Sequence, residues 1–155
     1  MVDSTDAVLA FLAAALLAWA TVPLAERFAI RVGAIDEPGP RSQHKVPTPR
    51  MSGLAILAGI EIAGWIWLPG ISETTPILLG AVAVTIVGAL DDIFDLPAMV
   101  KLLGQIVAAT IPVAAGVRPD VLTLPFIGGF DLGWTAYPLT VIGIVAVVNI
   151  VNLMD

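Results

Sequence analysis

Five apolar runs, separated by short polar stretches, decide what this chain can fold into. Ala7–Ala25 is a run of 19 residues without a charge. At about 1.5 Å per residue it nearly crosses a hydrocarbon core of about 30 Å. Leu54–Leu68, Pro76–Leu90, Met99–Val117 and Pro138–Met154 follow. The chain is 58% hydrophobic and 13% charged, with a mean hydropathy of +0.97. A soluble domain has no use for that much apolar surface. The expected fold is therefore an all-α polytopic membrane protein of about five transmembrane helices, forming one domain over residues 1–155. There is no cysteine, so neither a disulfide framework nor thiol chemistry is available. Asp3 and Asp6 precede the first run, so the basic start of a cleavable signal peptide is missing.

The polar stretches differ in kind. Gly33–Gly53 is the longest, with four prolines among Asp36, Glu37, Arg41, His44, Lys45 and Arg50. Proline at that density excludes a helix and implies a shaped loop. Val121–Trp134 has short alternating segments beside Gly128-Gly129, which predicts a small β-hairpin outside the bilayer between helices 4 and 5. Thr74 or Thr75 is placed to cap the third helix, with Pro76 in its first turn, and Pro112 is expected to kink the fourth. Glu61 lies inside the second run. An intramembrane carboxylate is a functional hypothesis by default, but contact with a neighbouring helix explains it as well, and that reading is preferred.

The densest charge is Asp91-Asp92-Ile93-Phe94-Asp95, with Lys101 close behind, in an aspartate motif over residues 91–101. On one continuous helix, Asp91 and Asp95 would be i,i+4, and Asp92 and Asp95 i,i+3. Like charges so spaced destabilise a helix by about 0.2–0.5 kcal/mol per pair, and acids at a helix C-terminus oppose the macrodipole. A solvated helix end with three loop acids is the bland reading. A site for a divalent cation or a phosphoryl group is the sharper one.

Topology weighs between them. With the Gly33–Gly53 loop in the cytoplasm and the N-terminus outside, Arg27, Arg31, Arg41, Lys45, Arg50 and Lys101 are all cytoplasmic. Only Arg118 is not. Six of seven basic residues on one side is the positive-inside pattern. The same five spans bring the loop, the aspartates and the Asn149–Asp155 end to one membrane face. Carboxylates, amides and cations together suit Mg²⁺ and phosphate. Taken singly, each is weak: Lys101 also reads as a membrane anchor, His44 as a solvated loop residue, and Asn149 with Asn152 as a link between helices. A proton or cation path would need acids spread through membrane depth, whereas all but Glu61 gather at one face.

At these residues the chain resembles a family. Asp36 through Gly53, Asp91-Asp92-Ile93-Phe94-Asp95 with Lys101-Leu102-Leu103-Gly104-Gln105, and Asn149-Ile150-Val151-Asn152-Leu153-Met154-Asp155 look like three successive motifs of the polyprenyl-phosphate N-acetylhexosamine-1-phosphate transferases. The resemblance implies transfer of a sugar-1-phosphate, GlcNAc-1-phosphate, from a UDP-sugar to undecaprenyl phosphate with release of UMP. That reaction is the first membrane step of a cell-envelope glycan such as lipopolysaccharide or teichoic acid, at the cytoplasmic face of the inner (plasma) membrane. It implies Asp91 and Asp92 as the catalytic carboxylates that orient or deprotonate the lipid phosphate, and Asn152 with Asp92 near Mg²⁺ (or Mn²⁺). Arg41, His44, Lys45, Arg50, Asp95, Lys101 and Asp155 are implied substrate contacts. The implied partners are undecaprenyl phosphate, a UDP-sugar and the lipid bilayer, with no nucleic acid and a homodimer as an option. Pro49-Arg50 and Asp95 look more like the GlcNAc-1-phosphate branch than the phospho-MurNAc-pentapeptide branch.

Two departures stand out. Ser52 replaces the first of two glycines, so tight approach of that loop to substrate is in question. The motifs quoted resemble the N-terminal half of such an enzyme, and the 155 residues alone are expected to be inactive. A non-catalytic truncated relative and an ion- or proton-conducting membrane protein are the alternatives.

Overall fold

The computed structural model describes residues 3–36, 47–124, 126 and 128–154. Five α-helices dominate: α1 (Ser4–Val32), α2 (Ser52–Trp67), α3 (Thr74–Phe94), α4 (Ala98–Ala114) and α5 (Ala136–Met154). Strands β1 (Ile35–Asp36) and β2 (Thr48–Pro49) pair antiparallel between α1 and α2. Strands β3 (Val121–Leu124) and β4 (Gly128–Asp131) do so between α4 and α5. A 3₁₀ turn, Gly133–Thr135, leads into α5.

Helices α1, α3 and the α5 segment are long and apolar enough to cross a membrane, while α2 and α4 are apolar but shorter. With 16 and 17 residues, these two span roughly 24–26 Å. Helix α1 is longer than its uncharged run, because Glu26–Arg31 continue it to a left-handed cap at Gly33 (φ 79°). Large side chains such as Phe11, Leu16, Trp19 and Val107 stand exposed on the helix surfaces, as lipid-facing residues do.

Small residues set the helix contacts, as expected where lipid removes the hydrophobic drive between helices. A Cβ at Gly59 of α2 would run into the Ala14 carbonyl oxygen of α1. At Gly64 it would meet Leu78 of α3, at Gly80 of α3 the Pro112 ring of α4, and at Gly104 of α4 the Val87 side chain of α3. The Thr21 hydroxyl is 3.3 Å from the Ala55 carbonyl oxygen of α2. Because the clash at Gly59 is with backbone, which cannot swing aside, Gly59→Ala is expected to destabilise the protein by about 1–3 kcal/mol. Thermal unfolding in detergent checks this.

Three expectations are corrected. The Gly128-Gly129 pair is not the hairpin turn. Both lie in β4, opposite Leu124 and Thr123, and the connection runs through Phe126 at φ 69°. The third helix is capped by neither threonine side chain: Glu73 is its N-cap residue, and Thr74 is the first helical residue and buried. Asp95 is not on the helix with Asp91 and Asp92, as described next. Helix α4 continues past Pro112 to Ala114.

Candidate functional site

The three aspartates part company at the end of α3. Phe94 is the last helical residue. Asp95 turns into the left-handed region (φ 51°, ψ 65°), and its N–H bonds the Asp91 carbonyl at 2.8 Å. Pro97 is the N-cap residue of α4, and the N–H groups of Val100 and Lys101 donate to its carbonyl. This tight reversal brings Lys101 onto Asp91. Lys101 Nζ donates to Asp91 Oδ2 at 2.6 Å, with the two side chains only 17% and 21% exposed. The Leu96 N–H donates to Asp91 Oδ1 at 3.2 Å. Both Asp91 oxygens are therefore engaged in holding the α3–α4 turn. The i,i+4 and i,i+3 repulsions expected of a continuous helix do not arise, because Asp95 has left it.

Asp92, together with Asp91, lines a cavity of about 810 Å³ between α2, α3 and α5. The backbone of Met51 hydrogen-bonds the Asp92 carboxylate, and the Arg50 charge attracts it. The cavity has two characters. Its polar end is formed by Arg50, Asp91, Asp92 and Asn152, whereas Leu54, Val84, Ala89, Val148 and Val151 line the rest. An elongated ligand with an anionic head and an apolar body matches such a lining.

The loop end is built to hold Arg50 there. Its N–H donates to the Ala34 carbonyl at 2.9 Å, and Ala29, Ala34 and Met51 form a buried cluster against Leu54, Ala89 and Ile93. Met51 takes the left-handed conformation (φ 75°) as the N-cap residue of α2. The backbone demand that a glycine at position 52 would ease is thus met one residue earlier. Ser52 itself begins the helix. A left-handed residue that is not glycine persists only where its surroundings hold it, and burial of the Met51 side chain does that here.

Behind the cavity lining, Asn149 Nδ2 of α5 donates to Gln105 Oε1 of α4 at 2.6 Å and to the Val145 carbonyl at 2.8 Å. Gln105 is 3% exposed. This bond ties α4 to α5 one turn before Asn152, as the helix-linking reading of Asn149 anticipated. Glu61 accepts a bond from Trp65 Nε1 at 3.2 Å, one turn along α2, and lies away from the cavity lining.

Of the residues singled out in the sequence, Arg50, Asp91, Asp92 and Asn152 meet at one cavity, and Lys101 joins through Asp91. Asp95 is exposed and does not line it. Arg41, His44, Lys45 and Asp155 lie outside the described residues. Among the described residues, no three His, Cys, Asp or Glu side chains converge as a ready-made metal cage.

The sequence model of glycosyl transferase family 4 matches residues 74–155. The chain belongs to that family. It is 41% identical over 151 residues to a Bacillus subtilis protein named "Probable undecaprenyl-phosphate N-acetylglucosaminyl 1-phosphate transferase", covering 96% of this chain and 42% of that one. It is 33% identical to a Mycobacterium leprae decaprenyl-phosphate N-acetylglucosaminephosphotransferase, over 93% of this chain and 39% of the relative. With a Synechococcus phospho-N-acetylmuramoyl-pentapeptide-transferase it shares 37% identity, over 95% and 46% of the two chains. The chain therefore spans less than half the length of these relatives. No solved structure matches it. Family and apolar helices together make it a multi-pass membrane protein.

Proposed function

We propose that the protein transfers GlcNAc-1-phosphate from UDP-GlcNAc to a polyprenyl phosphate, undecaprenyl phosphate, releasing UMP. The observation behind this reading is the cavity that joins Arg50, Asp92 and Asn152 to an apolar wall made by α2, α3 and α5. The names of the relatives point to the same reaction class. An oxygen of the lipid phosphate attacks the β-phosphorus of the UDP-sugar. The bond from that phosphorus to the oxygen bridging to the α-phosphate breaks, and the electron pair leaves with UMP.

Most of the work in such a transfer is positioning and charge neutralisation. Asp92, with a carboxylate not tied into the α3–α4 turn, orients the acceptor and takes its proton where the phosphate is still protonated. Arg50 offers a planar fork for phosphate oxygens. Lys101 acts through Asp91, which it holds in place. The donor set fits Mg²⁺: Asp92 and Asn152 supply hard oxygens on facing helices, and Mg²⁺ commonly takes one or two carboxylates and completes its shell with substrate phosphates and water. When bound, the ion supplies counter-charge for the diphosphate.

In the bilayer we place all five helices as spans, with the Arg50–Asp92–Asn152 end in the cytoplasm, the β3–β4 hairpin outside and the N-terminus outside, in the plasma membrane. Cysteines at Asp95 and Ser72 are expected to label from opposite sides of sealed vesicles, with position 95 inside. Labelling of both from one side contradicts this topology.

The reaction itself is tested with membranes holding the protein, supplied with Mg²⁺, UDP-GlcNAc and undecaprenyl phosphate. UMP is expected only when the lipid is present. UMP formed equally without lipid would indicate a hydrolase instead.

A further inference from the structure

We infer that Gly88 sets the bore of the cavity directly below the reacting phosphate, and so determines which lipid acceptors enter; this rests on the transferase reading above. Glycine inside a helix is less favourable than alanine, so its presence in α3 needs a reason. Packing supplies that reason at four of the other six glycines in the five helices, the exceptions being Gly53 in the first turn of α2 and Gly143 of α5. Each of Gly59, Gly64, Gly80 and Gly104 has a neighbouring helix so near that a Cβ would approach within 3.0 Å. Gly88 does not: a Cβ there would meet nothing within 4 Å. Nor does it lie on the outer surface, because it is half-buried and lines the cavity with Val84, Thr85 and Ala89.

Its place along α3 gives the empty space a meaning. Gly88 is three residues before Asp91 and four before Asp92, on the same helix face and one turn deeper in the membrane. The helix that presents the carboxylate to the acceptor phosphate therefore recedes where the first carbons of the acceptor chain must pass. Across the gap stand Val148 and Val151 of α5, one turn and less before Asn152. A prenyl chain carries methyl branches and needs more width than a linear alkyl chain. A side chain at position 88 would take that width. The UDP-sugar is polar throughout and belongs to the other end, beside Arg50 and Asn152.

The test uses membranes containing the full protein, with KM measured separately for undecaprenyl phosphate and for UDP-GlcNAc. For Gly88→Leu the KM of the lipid is expected to rise about tenfold or more, the effect of a few misplaced methylenes in an apolar pocket, while the KM of UDP-GlcNAc stays within about twofold. Gly88→Ala should shift the lipid KM in the same direction by less, with an unfolding temperature at or above that of the parent, since alanine favours the helix and meets no clash. A rise in both KM values together, a rise for UDP-GlcNAc alone, or no change for either variant overturns the inference. Absence of transfer in the unsubstituted protein instead overturns the transferase reading, and this inference with it.

Discussion

Asp92→Asn is expected to lower sugar-1-phosphate transfer by about 10²- to 10⁴-fold, the range that a positioned acid–base group contributes, with no loss of folding. Asparagine keeps the shape of the side chain and an oxygen that accepts the bond from the Met51 backbone. What it loses is the negative charge and the ability to take a proton, at the polar end of a cavity whose remaining lining is largely apolar. Charge placed in such surroundings acts more strongly than it would in water. Activity should fall while the unfolding temperature and helical content match the parent. Unaltered turnover in Asp92→Asn would exclude the role assigned to it.

Asp91→Asn should behave differently, although the two carboxylates are adjacent and look equivalent in sequence. Asp91 joins two chain segments through Lys101 Nζ and the Leu96 N–H. Replacing it leaves the Lys101 ammonium, only 17% exposed, without its counter-charge. Hydrogen bonds to charged groups contribute about 1.5–3 kcal/mol; residual solvent access to this pair lowers the expectation to about 1–2 kcal/mol of stability. Transfer falls as well, because the turn that presents Asp92 loosens. A double-mutant cycle of Asp91→Asn with Lys101→Met, read as unfolding midpoints in mixed detergent, should return a coupling of about 1 kcal/mol or more. Additive single effects would show that the 2.6 Å pair does not hold the turn.

How far the sequence revealed these features depends on the physics behind each one. The helices were legible because lipid demands long apolar runs, and α1 to α5 fall on those runs. The meeting of Arg50, Asp92 and Asn152 was legible from alternating span direction, which needs no knowledge of side-chain packing. The division of labour between Asp91 and Asp92 was not, because it depends on Asp95 leaving the helix at a positive φ and folding Lys101 back. Pro97 signalled a break nearby but not its geometry. Met51 was missed for a related reason: nothing in a methionine marks a left-handed residue, and burial beside Ala29 and Ala34 holds it there. The hairpin was found but its glycines were misplaced. A Gly-Gly pair is a strong turn signal, yet in this chain the pair is strand and the reversal falls just before it. The Gln105–Asn149 bond joins residues 44 apart, and only the packing of α4 on α5 discloses it.

The central claim is that phosphorus moves with the sugar, which distinguishes this reaction from ordinary sugar transfer with loss of UDP. UDP-GlcNAc labelled with ³²P at the β-phosphate decides it directly. Membranes containing the protein, given Mg²⁺ and undecaprenyl phosphate, should carry the label into the butanol-extractable lipid, with unlabelled UMP left in the aqueous phase and the transfer lost in Asp92→Asn. Label retained in the aqueous phase as UDP, while sugar appears on the lipid, would contradict the account.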